Sequence, residues 1–230
     1  MKEYRDLDLR GAVVRNVRLR GVELIDVDVY GELQNVTVNG VEVWPLVDAE
    51  LNRRMPDRAK MQPVDAAGFR DAWATLERLW ASTVERARSL PPSALHESVD
   101  DEWSFIQTLR HLGFASAAWV GRMVLGDPSP WHPLDLPWDE APGWEGIPWD
   151  RAATPSLDDV LAVRATRQAM VRDVLSSLTD DQLASTVSMT EPGWPRIERF
   201  PLRECLRIVV VEEWEHRLYA ERDLAVLASC

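Results

Sequence analysis

Two side chains near the C-terminus have the types and the spacing of metal ligands. Glu212 and His216 lie four residues apart in a helical pattern, so they share one face of the predicted helix. A carboxylate and an imidazole on adjacent turns can bind one divalent ion. His111, in an earlier helical pattern, lies on a face of small residues that leaves room for a ligand. Glu213 is a second candidate ligand, about 100° around the helix from Glu212.

These residues allow two interpretations. Two imidazoles and a carboxylate form a known type of metal triad with open coordination positions, suited to Zn, Fe, Mn or Ni. Alternatively, a buried Glu and His without a metal would pair with each other and fix how the helices pack. The convergence of His111 with Glu212 and His216 from two helices favours the metal site.

Four long helices would position these residues. Periodic stretches separated by Pro, Gly and Ser clusters are typical of an antiparallel helix bundle. The first helix has aromatic and apolar residues at helical spacing, which predicts a core face. Ser104 and Ser156 are good N-caps, and Pro201 is predicted in the first turn of the last helix. The predicted helices span residues 66–90, 104–125, 156–178 and 201–227.

A long segment without helical or strand periodicity connects the second and third helices. Such loops are usually functional or disordered, and this one, residues 128–155, holds four tryptophans and many prolines. Because each indole needs a large buried contact and a partner for its N–H, we expect an ordered lid. The alternative is a loop packed on the surface without a ligand role. Trp131 and His132 begin this loop and are substrate-contact candidates, although His132 could also merely cap the loop.

The N-terminal region has a different periodicity. Read in steps of five, two columns are entirely apolar, and this pattern resembles a pentapeptide repeat. Asn39-Gly40 lies between two alternating segments and predicts a two-residue hairpin turn. We therefore expect a β appendage at residues 1–45, too short to bury a core alone, and a helical domain at 46–230. The columns are Leu7, Ala12, Val17, Val22, Val27 and Leu9, Val14, Leu19, Leu24, Val29.

Composition excludes several classes of function. Lys and Arg number 26 against 38 Asp and Glu, and a net charge of −12 would repel a phosphate backbone, so we expect no nucleic-acid partner. No stretch approaches the roughly 18 apolar residues of a membrane span, and the first residues resemble no signal peptide, so we expect a cytoplasmic protein. Cys205 and Cys230 are too few for a disulfide framework and are expected to be reduced.

Two sequence blocks resemble the DinB superfamily, and more narrowly its actinobacterial members. They are DEWSFIQTLRHL at 101–112 and EEWEHRLYAERDL at 212–224, and the resemblance covers about residues 60–228. It implies a mainly α fold, an up-down-down-up four-helix bundle, which agrees with the long connection after the second helix. It also implies a divalent metal held by a histidine of the second helix and a His-x3-His pair on the last. His111 matches the first histidine and His216 the final one, whereas Glu212 stands at the middle position.

The resemblance also implies an activity. In related proteins the metal activates a low-molecular-weight thiol, such as mycothiol or bacillithiol, for transfer to a small electrophile or for isomerisation. Lys2 and Lys60 are the only lysines, and this arginine bias is typical of GC-rich genomes and favours mycothiol. Zn is the expected metal, with Ni, Mn or Fe as alternatives. Further substrate-contacting or metal-supporting candidates are Gln107, Arg122, Tyr219 and Asp223.

A second class of function stays open at this point. With Glu212 in place of a histidine, the metal site could be degenerate. The chain would then be a non-catalytic DinB-like binding or oligomerisation module. The expected partners are accordingly a small-molecule substrate in the first case and a second copy of the chain, forming a homodimer, in the second.

Overall fold

The structure is a computed structural model that describes residues 17, 19–22, 25, 27, 29, 33–144 and 147–229. The chain divides into two compact units, residues 1–48 and 49–230. Helices account for most of the regular structure, so the predicted mainly helical class is confirmed. Among the described residues, no helix has both the length and the apolar character needed to cross a bilayer.

The first unit contains the predicted hairpin. Strand β1, Thr37–Val38, pairs antiparallel with β2, Val41–Glu42. Asn39 and Gly40 have φ values of 50° and 82° between the strands. Positive φ at both central residues is the geometry of a two-residue hairpin turn and explains the choice of Asn-Gly. Helix α1, Trp44–Arg54, begins one residue after this hairpin and continues past the boundary between the units.

The pentapeptide-like interpretation gains no support from the structure. Half of the residues in its two columns, among them Leu7 and Leu24, lie outside the described residues. The other members are each more than half exposed and belong to no helix or strand, whereas the repeat predicts inward stacking. These members are Val17, Leu19, Val22, Val27 and Val29.

The second unit holds the four long helices that the sequence predicts. Their ends follow from local chemistry: the Asp65 side chain accepts from the Gly68 N–H, and Ser104 and Ser156 each close a capping box. Pro201 ends a strand instead of lying in the first helical turn. The helices are α2 (Ala66–Arg88), α3 (Phe105–Ser116), α4 (Leu157–Ser177), the short α5 (Asp180–Leu183) and α6 (Leu202–Leu227).

Several smaller elements were not predicted. Helix α3 runs directly into a π-helix, Ala117–Val124, and β3 (Thr186–Met189) pairs antiparallel with β4 (Ile197–Pro201) just before α6. Two short 3-10 helices, Pro56–Met61 and Pro92–His96, flank α2. The loop at 128–155 contains turns but no helix or strand among its described residues.

The core lies between the long helices. One buried cluster joins α2, α4 and α6 and includes Phe69, Trp73 and Trp214. A second joins α2, α3, α4 and α6 around Trp80 and Leu109. The aromatic stripe predicted on the first helix is therefore core. The up-down-down-up connectivity implied by the resemblance stays a prediction.

Candidate metal centre

The structure brings the three predicted metal ligands together. His111 comes from α3, and Glu212 and His216 come from adjacent turns of α6. One ligand atom from each lies within 4.8 Å of the others. Glu212 Oε2 is 3.4 Å from His111 Nε2 and 3.3 Å from His216 Nδ1, and the two imidazole rings stack with centroids 4.9 Å apart. Their role as ligands stays a prediction, but their proximity is a fact of the fold.

Backbone carbonyls orient both imidazoles. His111 Nδ1 lies 3.0 Å from the Leu136 carbonyl, and His216 Nδ1 lies 3.0 Å from the carbonyl of Glu212. A carbonyl oxygen can only accept, so in the neutral rings each Nδ1 carries the proton and each Nε2 keeps its lone pair. Metal-binding histidines commonly have their second nitrogen held in this way.

Glu212 Oε2 is a buried acceptor without a donor. This atom has no hydrogen-bond partner in the part of the chain that the structure describes. Its separations from the imidazole nitrogens are long for hydrogen bonds. His216 Nδ1 forms its hydrogen bond with the Glu212 carbonyl instead, and His111 Nε2 in its oriented tautomer has no proton to give. Leaving a buried carboxylate oxygen unpaired costs free energy that a bound cation would offset. The residues therefore fit a divalent ion.

The electrostatics of the cluster also suit a cation. Burial by itself raises the pKa of Glu212, but His111 and His216 outweigh it in their protonated forms, in which His111 can donate to the carboxylate and both rings attract it. The pKa of Glu212 is therefore held below its ordinary value. Burial lowers the pKa of His216, and His111 lowers it further. At neutral pH Glu212 is therefore anionic and His216 neutral, and these are the protonation states that metal binding requires.

A match to a known family also supports a metal site. The family model described as the DinB superfamily matches residues 75–220, more than half of the chain. The chain belongs to the DinB superfamily. This superfamily is metal-binding, and the matched range contains all three clustered residues. No curated protein and no solved structure matches the chain.

Two aromatic residues of this DinB chain form walls beside the imidazoles. The Trp103 ring lies 4.5 Å from the His111 ring and 6.0 Å from the His216 ring, and its Nε1 donates to Asp139 Oδ1 at 3.1 Å. Tyr219, a sequence candidate, meets the His216 ring edge-on at 6.1 Å and is 46% exposed. Sequence reasoning gave Trp103 no role, although it directly precedes the N-cap of α3.

Two of the other candidates have structural partners. Gln107 closes the capping box of α3, where its side chain accepts from the Ser104 N–H at 2.9 Å. Asp223 was expected to orient a liganding histidine, but its Oδ1 accepts from the neighbouring Arg222 at 2.7 Å. The Leu136 and Glu212 carbonyls orient the histidines instead.

Arg122, a sequence candidate for substrate contact, lies in the protein interior. It lies in the π-helix with no exposed surface, and its guanidinium donates only to backbone carbonyls. Buried guanidinium groups need such acceptors, because an unpaired charge in the interior is costly. These bonds connect the start of the 128–155 loop and the turn before β4 to the π-helix. The acceptors are the carbonyls of Pro128, Glu191, Pro192 and Pro195.

Glu213 is not available as the alternative ligand. Its carboxylate forms a two-pronged ion pair with Arg164 of α4, at 2.6 and 3.0 Å, and both side chains are almost fully buried. The Trp80 indole N–H donates to the Glu213 carbonyl, and Arg164 lies over the Trp80 ring. Of the two adjacent carboxylates, therefore, only Glu212 faces the imidazoles.

The tryptophan-rich loop packs beside the centre. Phe114 of α3 has its ring centroid 6.0 Å from that of His111. It stacks with both Trp131, at 5.7 Å, and Trp194, at 5.5 Å. His132 lies apart from this stack, where its Nδ1 accepts from the Leu134 N–H and it lines a shallow surface cavity that includes none of the three clustered residues. Trp131 thus supports the wall around the centre, and His132 is not part of it.

Proposed function

We propose that this DinB protein is a divalent-metal-dependent enzyme whose ion is held by His111, Glu212 and His216. The observation that carries the proposal is the buried, donorless Glu212 Oε2 beside two imidazoles whose Nδ1 atoms are bound to carbonyls. Zn is the proposed ion, with Ni, Mn or Fe as alternatives. Three protein ligands leave a fourth tetrahedral position open for a reactant.

The reaction that we propose is thiol-dependent transfer to a small electrophile, or isomerisation of it, with a mycothiol-type cosubstrate. A divalent ion would lower the pKa of a bound thiol, so that the thiolate exists at neutral pH. In transfer, the sulfur forms a bond to carbon, the leaving group departs with its electron pair, and the thiol proton passes to solvent. Trp103 and Tyr219 would exclude water on two sides.

Tyr219 has the properties of a substrate-contacting donor. Burial raises the pKa of Tyr219, and the nearby carboxylates of Glu215 and Glu102 raise it further. Its hydroxyl therefore keeps its proton at neutral pH. Because 46% of the residue is exposed beside His216, the hydroxyl can donate to a polar group of the substrate.

Metal content tests the first part of the proposal. Because two imidazoles and a carboxylate form one ligand set, we expect about one equivalent of a divalent ion per chain. It should be present in the untagged wild type or after reconstitution with Zn²⁺. Glu212→Gln and His111→Ala should lose it. Glu215→Gln, on the exposed face of the same helix, is the matched control and should keep it. Mass spectrometry of the ion and calorimetric titration give the stoichiometry and affinity.

A thiol assay tests the second part. We expect the metal-loaded wild type to consume mycothiol together with an alkyl or aryl halide, and Glu212→Gln to be inactive. Wild-type protein that binds no divalent ion after reconstitution would overturn the metal site. The alternative, a non-catalytic binding or oligomerisation module, would then be favoured. Analytical ultracentrifugation over a range of concentrations would test for the homodimer. Metal binding without thiol consumption would leave the centre standing and overturn only the proposed reaction.

A further inference from the structure

Arg110, next to His111 on α3, is a buried cation whose bonds all reach into the 128–155 loop. It is only 3% exposed. Its Nε donates to the Leu134 carbonyl at 2.8 Å and its Nη1 to the Ala153 carbonyl at 2.8 Å, while Nη2 donates to the Asp150 carbonyl. One side chain thus joins two parts of the loop that are far apart in sequence.

The same loop segment orients the metal-site histidine. The Leu136 N–H donates to the Arg110 carbonyl at 3.3 Å, and the Leu136 carbonyl lies 3.0 Å from His111 Nδ1. Leu134 and Leu136, two residues apart, are therefore both attached to one turn of α3. A shift of this segment would remove the acceptor that keeps the proton on His111 Nδ1.

Neighbouring contacts hold this segment from its other side. Arg167 of α4 donates to Asp135 Oδ2 at 3.2 Å, and the His132 N–H donates to the same oxygen at 2.8 Å. These bonds fix Asp135 but do not reach the two carbonyls on either side of it. Arg110 is thus the side chain that bonds the backbone next to the His111 acceptor.

We propose that Arg110 is a positioning residue of the metal centre. By fixing the Leu134–Leu136 backbone, it holds the carbonyl that selects the Nδ1–H tautomer of His111 and leaves Nε2 free towards Glu212. The proposal rests on the proposed metal site for its effect on affinity. Its effect on the tautomer is a property of the metal-free protein.

The experiment compares Arg110→Gln and Arg110→Lys with Arg151→Gln. Arg151 is the matched control, because it also donates to carbonyls of this loop, those of Trp138 and Ala141, but its side chain is exposed and it bonds neither Leu134 nor the segment at 150–153. Long-range ¹H–¹⁵N spectra of the metal-free proteins at pH 8 report the tautomer, with His111→Ala assigning the signal. Zn²⁺ titration reports the affinity.

We expect a single Nδ1–H tautomer for His111 in the wild type and in Arg151→Gln. In Arg110→Gln we expect a mixture of tautomers and an affinity for Zn²⁺ that is about 10- to 100-fold weaker, the usual range for losing such support. Arg110→Lys should have a tautomer mixture and a Zn²⁺ affinity between those of the wild type and Arg110→Gln, because one ammonium group cannot reach three carbonyls.

Two results would overturn the proposal. One is an Nε2–H tautomer of His111 in the wild-type protein, and this measurement does not depend on whether any variant folds. The other is an Arg110 variant with native far-ultraviolet circular dichroism that keeps both the wild-type tautomer and the wild-type Zn²⁺ affinity. If Arg110→Gln does not fold, Arg110→Lys decides the second point. A wild type that binds no Zn²⁺ overturns the metal site, while the tautomer measurement still decides the role of Arg110.

Discussion

Glu212 shows how one residue sets the character of the centre. It stands where the family resemblance implies a histidine, and its carboxylate reduces the net positive charge of a bound divalent ion by one unit. The stacked imidazoles of His111 and His216 in turn favour its anionic form. Zn²⁺ accepts carboxylate oxygen as well as imidazole nitrogen, and carboxylates suit Mn²⁺. A carboxylate at this position is therefore compatible with a working site.

Asp135 is a buried carboxyl whose protonation has a testable effect on stability. Burial raises the pKa of Asp135 to about 6, against the opposing effect of Arg167. Because the folded pKa lies above the unfolded value of about 4, the folded state binds more protons between these values. The favourable contribution of its protonated form is complete below about pH 4 and is lost as the pH rises through about 6.

Asp135→Asn should remove this dependence. Between pH 5 and pH 7.5 we expect the free energy of unfolding of the wild type to fall by about 1 kcal/mol more than that of the variant. Urea unfolding of both proteins at both pH values measures the difference, and groups common to both cancel. Equal pH dependence in the two proteins would show that Asp135 has an ordinary pKa.

At the scale of the elements, the Arg164–Glu213 pair fixes α4 against α6. The side chains are 3% and 2% exposed, and the Trp80 contacts add α2 to the same network. Because Glu212 precedes Glu213, this pair also sets which carboxylate of α6 meets the imidazoles. A buried pair of this kind contributes little net stability, but removing one partner leaves an uncompensated charge.

Arg164→Met alone should lower the free energy of unfolding by about 3–5 kcal/mol, because Glu213 then stays buried without a partner. Arg164→Met combined with Glu213→Leu should recover most of that loss. Urea unfolding of the single and double variants forms the cycle. A double variant as unstable as the sum of the single variants would contradict direct coupling.

The close approach of the 128–155 loop to the π-helix depends on Gly121. A Cβ at this buried position would lie 2.9 Å from the Cβ of Pro130 and 3.5 Å from Met170 Sδ. Gly143, in the same loop, has no neighbour within 4 Å of such a Cβ and provides a matched control.

Gly121→Val should lower the free energy of unfolding by about 1–3 kcal/mol, the usual cost of overpacking. Gly143→Val should change it by no more than about 0.5 kcal/mol. Thermal unfolding followed by circular dichroism compares the two. Equal stability of both variants would mean that the loop moves away from the π-helix without cost.

At the scale of the whole molecule, charge sets which partners can approach. With a formal net charge of −12, we expect no binding to duplex DNA at about 0.15 M salt. Fluorescence anisotropy with a labelled duplex tests this, and a basic DNA-binding protein is the positive control. A dissociation constant below about 1 µM would contradict the prediction and would require a basic face that the overall charge conceals.

The sequence by itself determined the features that depend on neighbours along the chain. Helical periodicity and the caps at Asp65, Ser104 and Ser156 act within a few residues, so the four long helices were predictable. The Asn39-Gly40 hairpin and the shared face of Glu212 and His216 follow from equally local rules. His111 was a candidate from its face of small residues, but no local rule connects it to α6, and the family resemblance supplied that connection.

Only the tertiary structure decided which groups meet across the chain. Arg122 has the chemistry of a substrate contact, yet the fold gives it backbone carbonyls from distant segments as partners. Trp103 became a wall of the centre and Arg110 an anchor of its loop through contacts with distant segments. The physical reason is that a backbone carbonyl is present at every residue, so its selection as an acceptor leaves no mark on the sequence and is fixed only when the chain packs.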